Sequence, residues 1–156
     1  MNYPFVVGAE DIPRLREEHA FSGRQLAEAA RLLEAGQSGQ CELIWEVFVR
    51  DLEQHMQHEE ELFLPAFART GVGPDLWASQ LRAEHKELSS RCQAISDELA
   101  SPAVALPLLH ELSRQLIEHS EREGLVLYPW LATVRASQRP FWQPHPAVAA
   151  PAAVTR

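Results

Sequence analysis

The sequence predicts an all-α fold: an antiparallel up-down-up-down four-helix bundle followed by an irregular C-terminal tail. Three observations predict it. Apolar residues recur at steps of three and four through most of the chain, the period of a helix with one buried face. Strand signals are nearly absent. Breaks rich in Gly, Ser and Pro divide the periodic sequence into four stretches of roughly 25 to 30 residues joined by short loops, which most simply form a bundle.

The first helix is expected from near Asp11, with Pro13 in its first turn, to the AGQSG break at residues 35–39. Its stripe is Ile12, Leu15, His19, Ser22, Leu26, Ala30 and Leu33. The second runs from about Cys41 to the TGVGP break at residues 70–74, with Ile44, Phe48, Leu52, His55, Glu59, Leu62 and Ala66 on one face. The third follows Pro74 to about Ala100 and shows Leu81, His85, Leu88, Cys92, Ile95 and Leu99 at the same rhythm. Ser101 as N-cap and Pro102 as first residue open the fourth, which carries Leu109, Leu112, Leu116, His119, Glu123, Leu127 and Trp130. From about Ala136 the chain reads SQRPFWQPHPAVAAPAAVTR, rich in Pro and Ala and unable to continue a helix. The expected division is a bundle over residues 1–135 and a tail over 136–156, with Phe141 and Trp142 docked on the bundle.

Bulk properties exclude several roles. Fourteen basic against 22 acidic side chains give a formal charge of −8, which disfavours nucleic acid or an anionic membrane surface as partner. The N-terminal MNYPFVVGAEDIPRL lacks the basic region of a secretory signal, and no stretch approaches a membrane span. Two cysteines, Cys41 and Cys92, form no CxxC pair and suit a reducing cytoplasm. The chain is therefore expected in the cytoplasm, and a homodimer is compatible with its apolar content.

What bundle stripes do not explain is polar. Residues 55–65 read HMQHEEELFLP and residues 119–129 read HSEREGLVLYP, each a histidine, a glutamate four later and a proline six beyond. REEH (Arg16 to His19) and RAEH (Arg82 to His85) align when the two halves are overlaid, with His19 and His55 36 residues apart and His85 and His119 34 apart. The halves thus read as related helix pairs. Residues four apart share a helix face, so each HxxxE points an imidazole and a carboxylate the same way. All six side chains, His19, His55, Glu59, His85, His119 and Glu123, can meet at one level of the core. Such a set would cost several kcal/mol to bury unless paired or coordinated. It suits iron and also accepts zinc or manganese, and two facing carboxylates can bridge two cations.

A single histidine on an apolar stripe is more often a satisfied core residue than a ligand, and only the repeated set points to metal. His58, His110 and His145 read as surface or structural positions. Glu60 and Glu61 read as a solvated face, Glu18 and Glu84 as salt partners of the neighbouring Arg16 and Arg82, and Cys92 as a buried inert thiol. Trp45, Trp77 and Trp130 read as bundle filling or an interface anchor. Pro65 and Pro129 are expected to kink their helix ends over the cavity. Tyr128 is close enough to approach it.

Over about residues 10–135 these motifs resemble the hemerythrin family, specifically its HHE cation-binding domains. The resemblance implies two iron ions with a bridging oxo or hydroxo group, held by His19, His55 with Glu59, His85, and His119 with Glu123. The ferritin-like alternative needs a glutamate three residues before a histidine, and no histidine here has one. Oxygen-carrying hemerythrins place two histidines four apart on the third helix, whereas Leu81 and Ser89 flank His85 at those positions. Each iron could then keep an open or solvent-filled position. The same ligand set is similar to that of bacterial di-iron proteins of nitric oxide responses and iron–sulfur repair, without their cysteine-bearing N-terminal domain. The expected function is binding or sensing of dioxygen or nitric oxide. The alternatives are an enzyme acting on peroxide or in nitrosative-stress repair, and iron storage or delivery.

Overall fold

The computed structural model describes residues 7–134, so the expectations for the tail, for Phe141 and Trp142 docking and for His145 lie outside the described residues. Within them the chain is helical and has no strand. A short 3-10 turn, Ala9–Asp11, leads into α1 (Ile12–Glu34). α2 (Ser38–His58) passes through a π-turn, Glu59–Phe63, into the short α3 (Leu64–Ala68). α4 (Val72–Glu98) and α5 (Pro102–Thr133) complete the set. No helix among the described residues is long and apolar enough to cross a membrane.

Local chemistry sets the helix ends. Pro13 sits in the first turn of α1, where its missing N–H leaves nothing unpaired. At the other end Gly36 takes φ +70°, the Gln37 N–H donates to the Leu32 carbonyl at 2.8 Å and the Gly36 N–H to Leu33 at 3.0 Å. This is a Schellman closure, and a left-handed residue there favours glycine. Ser101 does occupy the N-cap of α5, but through its backbone: its carbonyl accepts from Val104 and Ala105, while its hydroxyl makes no capping bond.

Helix pairing can be read from residue contacts. Along α2, Cys41 meets Ala29, Asp51 meets Gln25 and His55 meets His19, so advancing along one helix moves backwards along the other. The same opposition relates α2 to α4, where Trp45 donates to Ser96 and, further along, Glu60 meets His85. These are the contacts of antiparallel neighbours.

The apolar core is split in two. One cluster, including Leu26, Trp45, Phe48, Ile95 and Leu112, fills one end of the bundle, and a second, including Leu15, Phe63, Leu81 and Leu127, fills the other. Five of the six polar side chains named above lie in the sequence between these sets, His55 falls between Leu52 and Met56 at the edge of the first, and all six are buried. Cys92 belongs to the first cluster, and burial pushes its thiol up to about 12, in keeping with an inert role. Trp45 is buried there too, whereas Trp130 is half-buried against Phe67 and Trp77 is 38% exposed, so Trp77 does not fill the bundle.

Two stripe assignments shift by one residue. Beyond Glu59 the buried positions are Phe63, Leu64 and Phe67, with Leu62 and Ala66 only half-buried. Beyond Glu123 they are Leu127, Tyr128 and Leu131, with Trp130 half-buried. In both places the inward line advances in steps of four residues, which turns it by about 40° per step relative to a 3.6-residue helix. The two prolines also behave differently. Pro65 has no N–H to donate, and just before it the helix opens, the Leu64 N–H reaching back to the Glu59 carbonyl. Pro129 is held within α5, which continues to Thr133.

Replacing Gly36 by alanine forces a Cβ into the left-handed region. The expected loss is about 1–2 kcal/mol of folding stability, measured by urea denaturation; an unchanged midpoint would show that the α1–α2 closure relaxes to another turn.

Candidate metal centre

Each of the four long helices carries one histidine into the middle of the bundle, and the HxxxE spacing adds a carboxylate from the end of α2 and from α5. The structure brings all six predicted residues together. Glu59 and Glu123 are fully buried, His85 and His119 are 2% exposed, His55 5% and His19 9%.

The inner edges of the four imidazoles face the two carboxylates. Glu59 sets one oxygen 3.4 Å from His55 Nε2 and the other 3.3 Å from His85 Nε2. Glu123 sets one oxygen 2.8 Å from His119 Nε2 and the other 3.2 Å from His19 Nε2. Each carboxylate therefore spans one histidine from each half of the chain. The donors fall into two groups, His19, His55, Glu59 and Glu123, and His85, His119, Glu59 and Glu123, with the donor atoms of each within 4.8 Å of one another. Both glutamates belong to both groups.

The donor set fits cations. Among the described residues neither oxygen of Glu59 or Glu123 finds a hydrogen-bond donor, and the Nε2 atoms of His85 and His119 are likewise without a bonded partner; the 2.8 Å approach of His119 to Glu123 is close but poorly aligned. His19 and His55 point their Nε2 atoms at each other at 2.9 Å, a contact that requires one of them to carry a proton. Two imidazole nitrogens bound at right angles to one ion at ~2.1 Å would be about 3.0 Å apart. A cation can thus take both lone pairs with little movement.

The outer edges are held as firmly. His55 Nδ1 lies 2.7 Å from Glu18, His85 Nδ1 2.9 Å from Glu60 and His119 Nδ1 3.0 Å from Glu84. His19 Nδ1 meets two hydroxyls instead, Ser120 at 3.0 Å and Tyr128 at 3.1 Å. At His55, His85 and His119 the carboxylate must accept from Nδ1–H, so a neutral ring turns its Nε2 lone pair to the centre, the arrangement that fixes the tautomer of a metal-binding imidazole; at His19 the two hydroxyls can donate or accept. Four clefts reach these outer edges, of about 430 Å³ over His19, 250 Å³ over His55, 440 Å³ over His85 and 170 Å³ over His119.

These outer partners correct the sequence reading. Glu60 is not simply part of a solvated face, because it holds His85, while Glu61 is exposed and accepts from Gln57. Glu18 and Glu84 pair with Arg14 and Arg122 rather than with the expected Arg16 and Arg82, and each also holds the histidine of the next helix. The repeated REEH and RAEH motifs were the available signal, since the glutamate before one histidine serves another in both halves. Ser120 and Tyr128 had no comparable marker. His58 is half-buried beside Glu18 and His55, outside both donor groups, and His110 is exposed.

Electrostatics carry the mark of two anions held in a core. Burial, with the facing Glu123 carboxylate adding to it, raises the Glu59 carboxyl; burial also pushes Glu123 upward, but His119 and His19 outweigh it and hold Glu123 well below the ordinary value. Burial by itself would lower His119, yet Glu123 and Glu84 overcome it and raise it to about 10, and His55 is raised in the same way by Glu18, Glu59 and Glu123. Burial pushes the Tyr128 hydroxyl upward, so it remains a neutral phenol.

A histidine raised by folding stabilises the protein fully below its unfolded value and loses that contribution as pH climbs through the folded value. The metal-free protein should therefore lose stability from the ordinary 6.5 of histidine toward the about 10 of His119. Metal-loaded protein, which needs neutral imidazoles, should escape this decline. Urea midpoints across that range, with and without added zinc, check both statements; a metal-free midpoint that rises with pH would contradict the charge arrangement.

No family model, no curated protein and no solved structure matches the chain, and the reading of the centre rests on its own residues.

Proposed function

We propose that this chain is a hemerythrin-like, non-haem di-iron protein that binds or senses a diatomic ligand, dioxygen or nitric oxide, in the cytoplasm. The observation that supports it most is the sharing of both glutamates between two donor groups, since a carboxylate with one oxygen on each side is suited to bridging a pair of ions. In this reading His19 and His55 would hold one ion and His85 and His119 the other, with Glu59 and Glu123 common to both. Two irons so held would supply reversible ligand binding coupled to a change of oxidation state.

The protein groups have definable tasks. The two apolar clusters keep bulk water from either end of the layer, and Glu18, Glu60, Glu84, Ser120 and Tyr128 hold the imidazoles by their outer nitrogens. Binding is favoured over turnover because those five polar side chains are engaged on the far side of the rings. The inward-facing donor atoms belong to the six proposed ligands, and turnover would call for a proton donor of its own beside them.

Protein purified without added metal should contain two irons per chain, one for each donor group. It should also show near-ultraviolet charge-transfer absorption that changes reversibly on exposure to dioxygen or nitric oxide. A His55→Ala/His119→Ala variant, which strikes one terminal ligand from each group, should lose the iron and the absorption. Zinc alone in the purified wild type would defeat the redox reading. Sustained consumption of peroxide with a regenerating reductant would replace binding by catalysis.

A further inference from the structure

We infer that the two halves of the polar layer are unequal, and that the His85–His119 group takes up a divalent ion before the His19–His55 group does. This rests on the two-ion reading above but concerns the order of loading, which pseudo-symmetry alone would leave undecided.

The asymmetry begins in the sequence. Offsetting the second HxxxE helix onto the first places Gly124 where Glu60 stands, Tyr128 where Leu64 stands and Ser120 where Met56 stands. Glu18 and Glu84 are matched, each holding the histidine of the following helix. The remaining two histidines are therefore held by different chemistry. His85 has the Glu60 carboxylate, and His19, at the equivalent place, has the hydroxyls of Tyr128 and Ser120.

A carboxylate accepting the Nδ1 proton makes the opposite nitrogen a stronger donor to a metal than a neutral hydroxyl does. One group thus has two carboxylate-backed imidazoles and the other has one. Wider charge acts in the same sense. The clefts over His85 and His119 are each lined by three carboxylates and one cationic side chain. The cleft over His55, with two carboxylates and no Lys or Arg, matches them in net charge, so the difference lies over His19, where a single carboxylate, Glu121, is set against Arg16, whose guanidinium also lies 5.5 Å from the Tyr128 ring. Since the bridging carboxylates are common to both groups, these outer differences decide the preference. Glu60, Tyr128 and Ser120 are positioning residues that set the order of loading.

The test is histidine 15N NMR of the full-length, metal-free chain titrated with zinc, which reports each Nε2 separately. At one equivalent the His85 and His119 signals should move while those of His19 and His55 stay, and the second equivalent should move the latter pair. Glu60→Gln should weaken the first step by about 10- to 100-fold and remove the order, whereas Tyr128→Phe should weaken only the second. Parallel movement of all four signals from the first addition, or early movement of His19 and His55, would overturn the proposed order while leaving two-ion binding intact. Saturation at a single ion, or no binding, would instead remove the two-ion reading and the order with it.

Discussion

The structure turns on two carboxylates, Glu59 and Glu123, placed fully buried in the middle of a helical core with no donor for their oxygens among the described residues. Burying one ionised carboxylate is costly, and burying two that face each other is more so. The surrounding architecture can be understood as the means of tolerating them. Four imidazoles approach within 3.4 Å or less, and packed apolar clusters lie to either side. The positive charge that the carboxylates favour on His55 and His119 offsets part of this cost in the metal-free protein, and a cation held by the same donors would offset it further.

Orientation is handled outside the core. Each imidazole is gripped by its outer nitrogen, so the inner nitrogen has little freedom to turn away. The gripping carboxylates are partly exposed, Glu18 at 34% and Glu60 at 40% of their side chains, where ionisation costs little. The charge of these outer carboxylates is thus kept at the rim, where water supports it, and acts inward through the rings. This separates the task of attracting a cation from the task of excluding solvent.

Much of this was legible in the sequence because it rests on periodicity. The helix breaks at residues 35–39, 70–74 and near Pro102 are local signals, and all four long helices follow them. His19, His55, Glu59, His85, His119 and Glu123 stood out because polar residues interrupt apolar stripes at matching places in two halves. The partners of Nδ1 were less legible, because Glu60, Ser120 and Tyr128 join residues 25, 101 and 109 positions apart. Glu18 and Glu84 lie between these cases: the repeat displayed them, but only the packing of neighbouring helices shows which histidine each one serves. The π-turn at Glu59–Phe63 has no signature beyond Pro65, since Pro129 sits in a similar context within an ordinary helix.

The shared carboxylates also govern how the two helix pairs belong together. α1, α2 and the π-turn that follows it supply three of the four donors of one group, and the fourth, Glu123, comes from α5; α4 and α5 are likewise incomplete without Glu59. Neither pair can finish a centre by itself. Docking of the halves must precede coordination, and an ion once seated acts as a clasp across the seam between them. With an ion so held, breathing of one half against the other would be tied to occupancy as well as to the apolar packing, and the looseness of the bundle would follow the state of its centre.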